Sequence, residues 1–261
     1  MPTWTNLERA VAETPFDAGV SAMTLNGDKW GNRADEPWSA ASVIKIPIMI
    51  EIFHQIDAGQ RSLGDIHAIK PDEKTPGSGV LLHMHDGLEV TLNDLLYLMI
   101  SISDNTATNL LIDYAGIDQV NQRMRGWGMN GTTLNRKMQG RPAEPGQKEN
   151  WIVPSECSQM LRMILDGDAA SADSCVAMTE LLQTQQNRNR LARPLTEEHD
   201  HIEFGSKTGT IKGVCNDAGF FMVGEQALIL SVMQQNVTDT NQGEAAIGAI
   251  AEAALRDVGM L

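Results

Sequence analysis

One short pattern near residue 42 combines a serine hydroxyl with a lysine amine. Ser42 and Lys45 begin an apolar run, and on a helix their i, i+3 spacing places both side chains on one face. A buried lysine loses proton affinity, so Lys45 could take the proton of Ser42 and make its oxygen a nucleophile. The N–H groups at a helix N-terminus could stabilise the oxyanion that forms on the substrate. The alternative is an N-capping serine with a solvated lysine, since Ser-x-x-Lys occurs about once by chance in such a chain.

Two further tripeptides carry hydroxyl, amide and amine groups. Ser103-Asp104-Asn105 lies between two predicted helices, and Lys207-Thr208-Gly209 lies on a predicted strand. Either could be structural, because Ser, Asp and Asn cap helices and lysine often protects an edge strand. Each tripeptide occurs by chance in about one in twenty chains of this length. All three motifs in this order coincide in well under about one chain in a hundred.

The segments around the motifs show the residue patterns of either strands or helices. Asn26-Gly27, between two alternating segments, predicts a type I′ hairpin turn. Thr91 with Asp94 predicts a capping box, and Gly167 predicts a helix end. The predicted strands are 19–25, 29–34, 202–210, 218–223 and 227–234. The predicted helices are 4–14, 92–102, 106–115, 155–167, 172–185 and 243–258.

Strands at both ends flank a helical middle. This order predicts an α/β (α+β) fold, in which an antiparallel sheet flanked by helices carries an inserted all-α lobe. Residues 1–41 and 191–261 would form the α/β lobe, and residues 42–190 the all-α lobe. The cleft between two such lobes is the natural place for a site. The long irregular stretch 126–154 is typical of a functional loop.

Composition limits the classes of partner. With 20 basic and 34 acidic residues among 261, the net charge is −14, which disfavours nucleic acid and anionic membranes as partners. No apolar run approaches the roughly 18 residues of a membrane span. The three cysteines allow at most one disulfide. Because the sequence shows no signal-peptide pattern, we expect a cytoplasmic protein, or a periplasmic or secreted one if a leader was removed. We also expect a monomer.

The three motifs together resemble those of class A β-lactamases and penicillin-binding proteins. The similarity extends over the whole chain. Three segments of this chain resemble elements of the family. The segment PWSAASVIKIPIM resembles its active-site helix, PGSGVL resembles one of its loops, and SKTGT resembles its third motif. The second motif with its flanking helices is similar to VTLNDLLYLMISISDNTATNLLI.

The resemblance implies a role for each residue of the first two motifs. Ser42 would be the acylated nucleophile and Lys45 its proton partner. Ser103 would relay a proton to the leaving nitrogen, and Asn105 would hold the acylamide side chain of the substrate. Catalysis of this kind implies neither a metal nor a cofactor.

The third motif would bind the substrate. The resemblance implies that Lys207 attracts the substrate carboxylate and steadies Ser103, with Thr208 as a hydroxyl donor. The strand around Gly209 would pair with the substrate, and the N–H groups of Ser42 and Thr210 would form the oxyanion hole.

The chain departs from the family in its long loop. Class A β-lactamases have a glutamate there that activates the deacylating water, whereas here Met138 lies near the expected position. Glu144 and Glu149 are the carboxylates of this loop, and both are displaced. Either Glu144 reaches the water by another path or no carboxylate does. We favour the second, because a general base must lie within hydrogen-bond reach, so acylation would survive while hydrolysis is slow.

A second departure concerns the carboxylate of the substrate. The family often has an arginine close to the third motif, but residues 213–217 contain none. Lys212 is the nearest cation in sequence, either as a substitute or as a solvated turn residue.

Other classes of hydrolase fit the sequence less well. His83-Met84-His85-Asp86 and His199-Asp200-His201 could ligate zinc, but solvated loop histidines are the better interpretation. No Gly-x-Ser-x-Gly elbow occurs, which excludes an α/β-hydrolase triad. A non-hydrolytic penicillin sensor would keep all three motifs and differ only in deacylation.

The sequence therefore predicts a serine hydrolase that forms an acyl-enzyme and hydrolyses β-lactam amides, with a role in antibiotic resistance. The alternatives are an esterase or D-alanyl peptidase of the same superfamily, and a penicillin-binding protein with little turnover. The expected partner is a small β-lactam, ester or amide that bears a carboxylate.

Overall fold

The computed structural model describes residues 2–261. Eight helices are present in this range: α1 (Thr5–Glu13), α2 (Lys45–Asp57), α3 (Leu92–Ser101), α4 (Asn105–Ala115), α5 (Ile117–Gly126), α6 (Pro154–Asp166), α7 (Ala172–Gln183) and α8 (Thr240–Asp257). Its nine strands are β1 (Asp17–Thr24), β2 (Lys29–Asn32), β3 (Trp38–Ser39), β4 (Ile66–Ala68), β5 (Glu89–Thr91), β6 (Trp151–Ile152), β7 (Glu203–Ile211), β8 (Gly213–Val223) and β9 (Gln226–Val237).

Both ends of the chain contribute to one sheet. Its five strands are ordered β2-β1-β9-β8-β7, and each neighbouring pair is antiparallel. Strand β1 pairs with β9, so that Ser21 lies opposite Ser231, although 210 positions separate them in the sequence. The predicted antiparallel sheet with an inserted helical segment is confirmed.

The sheet is covered by helices on both faces. Along β9, Leu228, Leu230 and Val232 face one apolar cluster with helices α1 and α8, while Ile229 and Met233 face another with the remaining helices. Successive side chains of a strand point to opposite faces, so a strand between two helical layers is apolar throughout. The second cluster continues from the sheet into α2, α3 and α4 without a break. The lobe boundaries at residues 42 and 190 stay a prediction.

The helix start predicted at Thr91 and the helix end predicted at Gly167 are confirmed. The Thr91 hydroxyl accepts a hydrogen bond from the Asp94 N–H at 3.1 Å, and the Asp94 carboxylate accepts one from the Thr91 N–H at 2.8 Å. Gly167 ends α6 in the left-handed conformation, with φ of 81°.

The hairpin between β1 and β2 differs from the predicted type I′ turn. Gly27 has φ of 93°, but Asn26 is not in the left-handed region. The Gly27 N–H donates to the Thr24 carbonyl at 3.1 Å, and the Thr24 N–H donates to the Asp28 carbonyl at 2.9 Å. These bonds define a three-residue loop with one left-handed glycine, which needs positive φ at a single position.

Residues 2–261 contain no helix with both the length and the apolar character required to cross a bilayer.

Candidate active site

Ser42 lies in a short 3₁₀ helix, Ala41–Ile44, that continues into α2. The serine is 9% exposed and Lys45 is fully buried. Ala41, directly before the serine, has φ of 44°, a region that residues other than glycine seldom adopt. Strain of this kind is concentrated at functional sites, where the surrounding structure holds it in place.

The amine of Lys45 lies between residues of the second motif. Its Nζ contacts the Ser103 carbonyl at 2.8 Å, the Ser103 Oγ at 2.9 Å and the Asn105 Oδ1 at 3.2 Å. Burial, reinforced by the positive charge of Lys207, holds the pKa of Lys45 well below its usual range. A neutral amine in this position can accept a proton and pass it on through the Ser103 hydroxyl.

Asp104 fixes the turn that presents Ser103. Its Oδ1 accepts a hydrogen bond from the Ala107 N–H and caps α4, while its Oδ2 accepts from the Val80 and Leu81 N–H groups at 2.6 and 2.9 Å. Ser103 itself has φ of 61°. Through these hydrogen bonds Asp104, the middle residue of the second motif, connects the loop around residue 79 to the turn at Ser103.

Asn105 contacts both Lys45 and the loop that contains Pro76 and Ser78. Its Oδ1 receives the Lys45 contact, and its Nδ2 donates to the Pro76 carbonyl at 3.0 Å. Its backbone N–H donates to the Ser78 carbonyl at 2.9 Å. The amide therefore lies in the wall of the site, where it also fixes the loop that faces Ser42.

Strand β7 brings the third motif against the start of α2. A Cβ atom added to Gly209 would lie 3.0 Å from the Ala40 oxygen and 3.1 Å from the Ser42 nitrogen, which explains why a glycine occupies this position. Thr208 and Thr210 line the same cleft as Ser42. This cleft also contains Ser103 and has a volume of about 340 Å³, which suits a small ligand.

Lys207, a residue of this strand, is completely buried. Burial lowers its pKa to about 7, against the opposing effect of the Asp217 carboxylate, and the Arg190 charge lowers it further. Its Nζ donates to the Thr208 carbonyl at 2.9 Å. Within residues 2–261 no hydrogen bond joins Lys207 to Ser103, or Ser42 Oγ to Lys45 Nζ. Contacts of this kind often tighten only when substrate binds.

Arg190 is the functional candidate that sequence reasoning missed. It is 2% exposed, donates to the Gly209 and Asn216 carbonyls at 3.0 and 2.7 Å, and forms an ion pair with Glu244 at 3.2 Å. Its Nη2 also donates to the Thr210 hydroxyl. Lys212, the nearest cation in sequence, is exposed in the turn after β7. The sequence has three arginines shortly before β7, Arg188, Arg190 and Arg193. No pattern in this segment indicates that Arg190 is the one that contacts the site.

The long loop closes the other side of Ser42. The Met138 N–H donates to Asn109 Oδ1 at 2.7 Å, and Asn109 Nδ2 donates to the Met138 carbonyl at 3.1 Å. Met138 lines a small cavity together with Ser42, as does Glu149. The Glu149 carboxylate is occupied by Arg136 at 2.8 Å and by the Ala143 N–H at 2.9 Å. Glu144 is exposed and pairs with Arg141 at 3.1 Å.

The histidine and cysteine patterns differ in their relation to this site, since Cys215 lies opposite Thr210 in the pairing of β7 with β8. Among residues 2–261 there is no group of three or more His, Cys, Asp or Glu side chains arranged to hold a metal ion. Cys157, Cys175 and Cys215 are buried and free of disulfides.

The proximity of Lys45 to Ser103, in the cleft that also contains Ser42, is the arrangement expected of a serine hydrolase of the penicillin-recognising type. The chain belongs to the β-lactamase enzyme family, whose model matches residues 2–258. It has the class A-like fold and is a serine β-lactamase-like hydrolase.

Individual relatives agree with this membership. The chain is 28% identical over 233 residues to a β-lactamase of Rhodobacter capsulatus, covering 80% of this chain and 79% of that protein. It superposes on the crystal structure of a β-lactamase from Sphaerobacter thermophilus with a TM-score of 0.96 and 43% identity, covering 100% and 99% of the two chains. A point mutant of PBP-A, solved as an acyl-enzyme complex with penicillin G, gives a TM-score of 0.86 and 25% identity, covering 100% and 98%.

Proposed function

We propose that β-lactams acylate Ser42 of this protein and that the acyl-enzyme is hydrolysed slowly. The observation that carries the proposal is the Lys45 amine, which is fully buried at the start of α2 and lies 2.9 Å from the Ser103 hydroxyl. The β-lactamase named among its relatives and the acyl-enzyme of PBP-A with penicillin G support the substrate class.

Acylation moves the proton of Ser42 to the lactam nitrogen, with Lys45 and Ser103 as the relay. The neutral Lys45 amine takes the Ser42 proton as Oγ attacks the lactam carbonyl carbon, and the carbonyl electrons move onto its oxygen. When the tetrahedral intermediate collapses, the C–N bond breaks and the lactam nitrogen takes a proton from the Ser103 hydroxyl. The Lys45 ammonium replaces that proton and becomes neutral again. The backbone N–H groups of Ser42 and Thr210 would stabilise the oxyanion.

The substrate carboxylate would bind at the third motif. Because Arg190 donates to the Thr210 oxygen, the hydroxyl hydrogen of Thr210 is left to donate toward the cleft. The Lys207 ammonium adds a positive charge on the same strand, and a bound carboxylate would favour its protonated form. Arg190 thus acts as a positioning residue, and Thr208 would supply a second hydroxyl.

Deacylation lacks the usual carboxylate. Met138 presents a thioether to the cavity beside Ser42, and a thioether cannot accept a proton from water. Glu149 is held by an ion pair and backbone N–H groups, and Glu144 is exposed. Slow hydrolysis of the acyl-enzyme follows, because general-base catalysis contributes about 10²- to 10⁴-fold in rate.

A time course of intact mass with benzylpenicillin tests the proposal. We expect an adduct of one penicillin that decays as penicilloate is released. Ser42→Ala should abolish the adduct, whereas Ser78→Ala, which removes another hydroxyl of the cleft, should keep it. A stable adduct would indicate a penicillin-binding protein with little turnover. Labelling that persists in Ser42→Ala, or no adduct in the unmodified protein, would contradict the assignment.

A further inference from the structure

The loop before residue 80 forms one wall of the active site and is fixed to the start of α4. The Asn105 N–H donates to the Ser78 carbonyl at 2.9 Å, and Asn105 Nδ2 donates to the Pro76 carbonyl at 3.0 Å. The Thr75 N–H donates to the Thr106 hydroxyl at 2.9 Å. Because Ser78 lines the cleft that contains the nucleophile, the position of this loop affects the shape of the site.

A second attachment joins the same loop to the other end of α4. His67 Nε2 lies 2.8 Å from the Glu73 carboxylate, and His67 Nδ1 lies 2.6 Å from the Tyr114 hydroxyl. Tyr114 is close to the end of α4, about 14 Å along the helix axis from Asn105 at its start. Tyr114, His67 and Glu73 thus form a histidine bridge between α4 and the loop.

The histidine bridge keeps both of its contacts in either charge state of the imidazole. In the neutral form the Tyr114 O–H donates to Nδ1 and the Nε2–H donates to Glu73, and in the charged form both N–H groups donate. The side chains of His67 and Glu73 are only 16% and 21% exposed. Burial acts to raise the pKa of Glu73, but the hydrogen bonds from His67 and from the Lys70 N–H outweigh it and lower this pKa.

The Glu73 end of the bridge continues directly into the wall of the site. The Thr75 hydroxyl donates to the Glu73 carbonyl at 3.1 Å, and the next residue, Pro76, accepts the hydrogen bond from Asn105 Nδ2. Lys45 Nζ contacts Asn105 Oδ1 at 3.2 Å, so these two contacts together fix which way the amide faces. A side-chain amide nitrogen has two hydrogens, and the bond to Pro76 leaves one of them free.

We propose that the histidine bridge positions Asn105 for the acylamide side chain of the substrate during acylation. This inference rests on the proposed function and on the role of Asn105 that the family resemblance implies. The three bridge residues line neither cavity beside the nucleophile, so they are positioning residues that act through the loop. The bridge holds the loop at Glu73, the loop holds the Asn105 amide at Pro76, and the free Nδ2 hydrogen donates to the amide carbonyl of the substrate.

The experiment measures acylation rate constants with benzylpenicillin and with 6-aminopenicillanic acid, using intact mass under single-turnover conditions. The second compound has the same lactam and carboxylate but an amine in place of the acylamide group. Tyr114→Phe removes the hydroxyl and keeps the ring, whose centroid lies 4.3 Å from the Arg61 guanidinium. We expect acylation by benzylpenicillin to slow roughly 3- to 10-fold, the effect of one lost hydrogen bond, and acylation by 6-aminopenicillanic acid to stay unchanged.

Tyr97→Phe is the matched control, because Tyr97 is the other tyrosine of the chain and is exposed on α3. Both rate constants should stay unchanged in this variant. Glu73→Gln keeps an oxygen that accepts from the imidazole N–H, so it should retain most of the acylation rate with benzylpenicillin. Glu73→Ala removes that oxygen and should slow this rate at least as much as Tyr114→Phe.

The outcomes separate this inference from the proposed function. An equal loss of acylation with both compounds in Tyr114→Phe would overturn the inference, since the bridge would then only stabilise the fold. An unchanged rate with benzylpenicillin in Tyr114→Phe would overturn it as well, and either result would leave the proposed function intact. No adduct on the unmodified protein would overturn both.

Discussion

Asn109 holds the backbone of Met138 at both its N–H and its carbonyl, through hydrogen bonds of 2.7 and 3.1 Å. Asn109 is 8% exposed and belongs to α4, the helix that begins directly after Asp104. The second motif and the long loop are thus fixed to each other, and Met138 is presented to the cavity beside Ser42. A side chain exchanged at this position would lie close to Ser42.

Met138→Glu should accelerate hydrolysis of the acyl-enzyme. The carboxylate would lie beside Ser42 and could take a proton from the attacking water, so we expect the deacylation rate to rise by roughly 10²-fold. The release of penicilloate after a single turnover measures it. Met138→Gln is the matched control, because it is polar and of similar size but has no basic group. Equal rates in the two variants would show that a carboxylate at this position does not act as a base.

Acylation by an anionic β-lactam should depend on the protonation of Lys207. Its pKa of about 7 means that the free enzyme carries the ammonium below pH 7 and the neutral amine above it. A substrate carboxylate binds the charged form, so the second-order acylation rate constant should fall about tenfold per pH unit above neutrality. Lys207→Arg, which stays charged, should remove this decrease. An identical decrease in both proteins would assign the titration to another group.

Gly209→Ala should slow acylation without unfolding the protein. The added methyl carbon would lie 3.0 Å from the Ala40 oxygen and 3.1 Å from the Ser42 nitrogen, so β7 and the segment that carries Ser42 must move apart. A displacement of about 1 Å at a reacting centre costs roughly 10²-fold in rate. Gly126→Ala, at the end of α5, is the control, because an added Cβ atom there would meet no neighbouring atom within 4 Å. An unchanged acylation rate in Gly209→Ala would show that this close approach is not needed.

Arg190→Ala should destabilise the fold. The substitution leaves Glu244 without its cation and the carbonyls of Gly209 and Asn216 without a donor. Breaking a buried pair in this way costs about 3–5 kcal/mol of unfolding free energy. Urea unfolding, followed by circular dichroism, measures the change. Arg188→Ala, which removes an exposed arginine 5.4 Å from the Phe204 ring, should cost under about 1 kcal/mol. Similar losses in both variants would contradict the structural role of Arg190.

Local sequence signals determined the elements and the chemical residues. Thr91 with Asp94 marked the start of α3, Gly167 marked the end of α6, and the apolar strands of the sheet were recognisable from their pattern. Such signals depend on neighbours within a few residues, so one sequence is sufficient to read them. The three motifs likewise indicated acyl transfer before any contact was known.

Only the tertiary structure decided which groups meet and what their environments are. Lys45 contacts Ser103, 58 positions away, and Arg190 reaches Asn216 from a segment with no distinguishing pattern. The lowered pKa values of Lys45 and Lys207 come from burial and from the charged groups around them, which a sequence position does not specify. Each property arises from packing between distant segments, so it is absent from any local stretch of the chain.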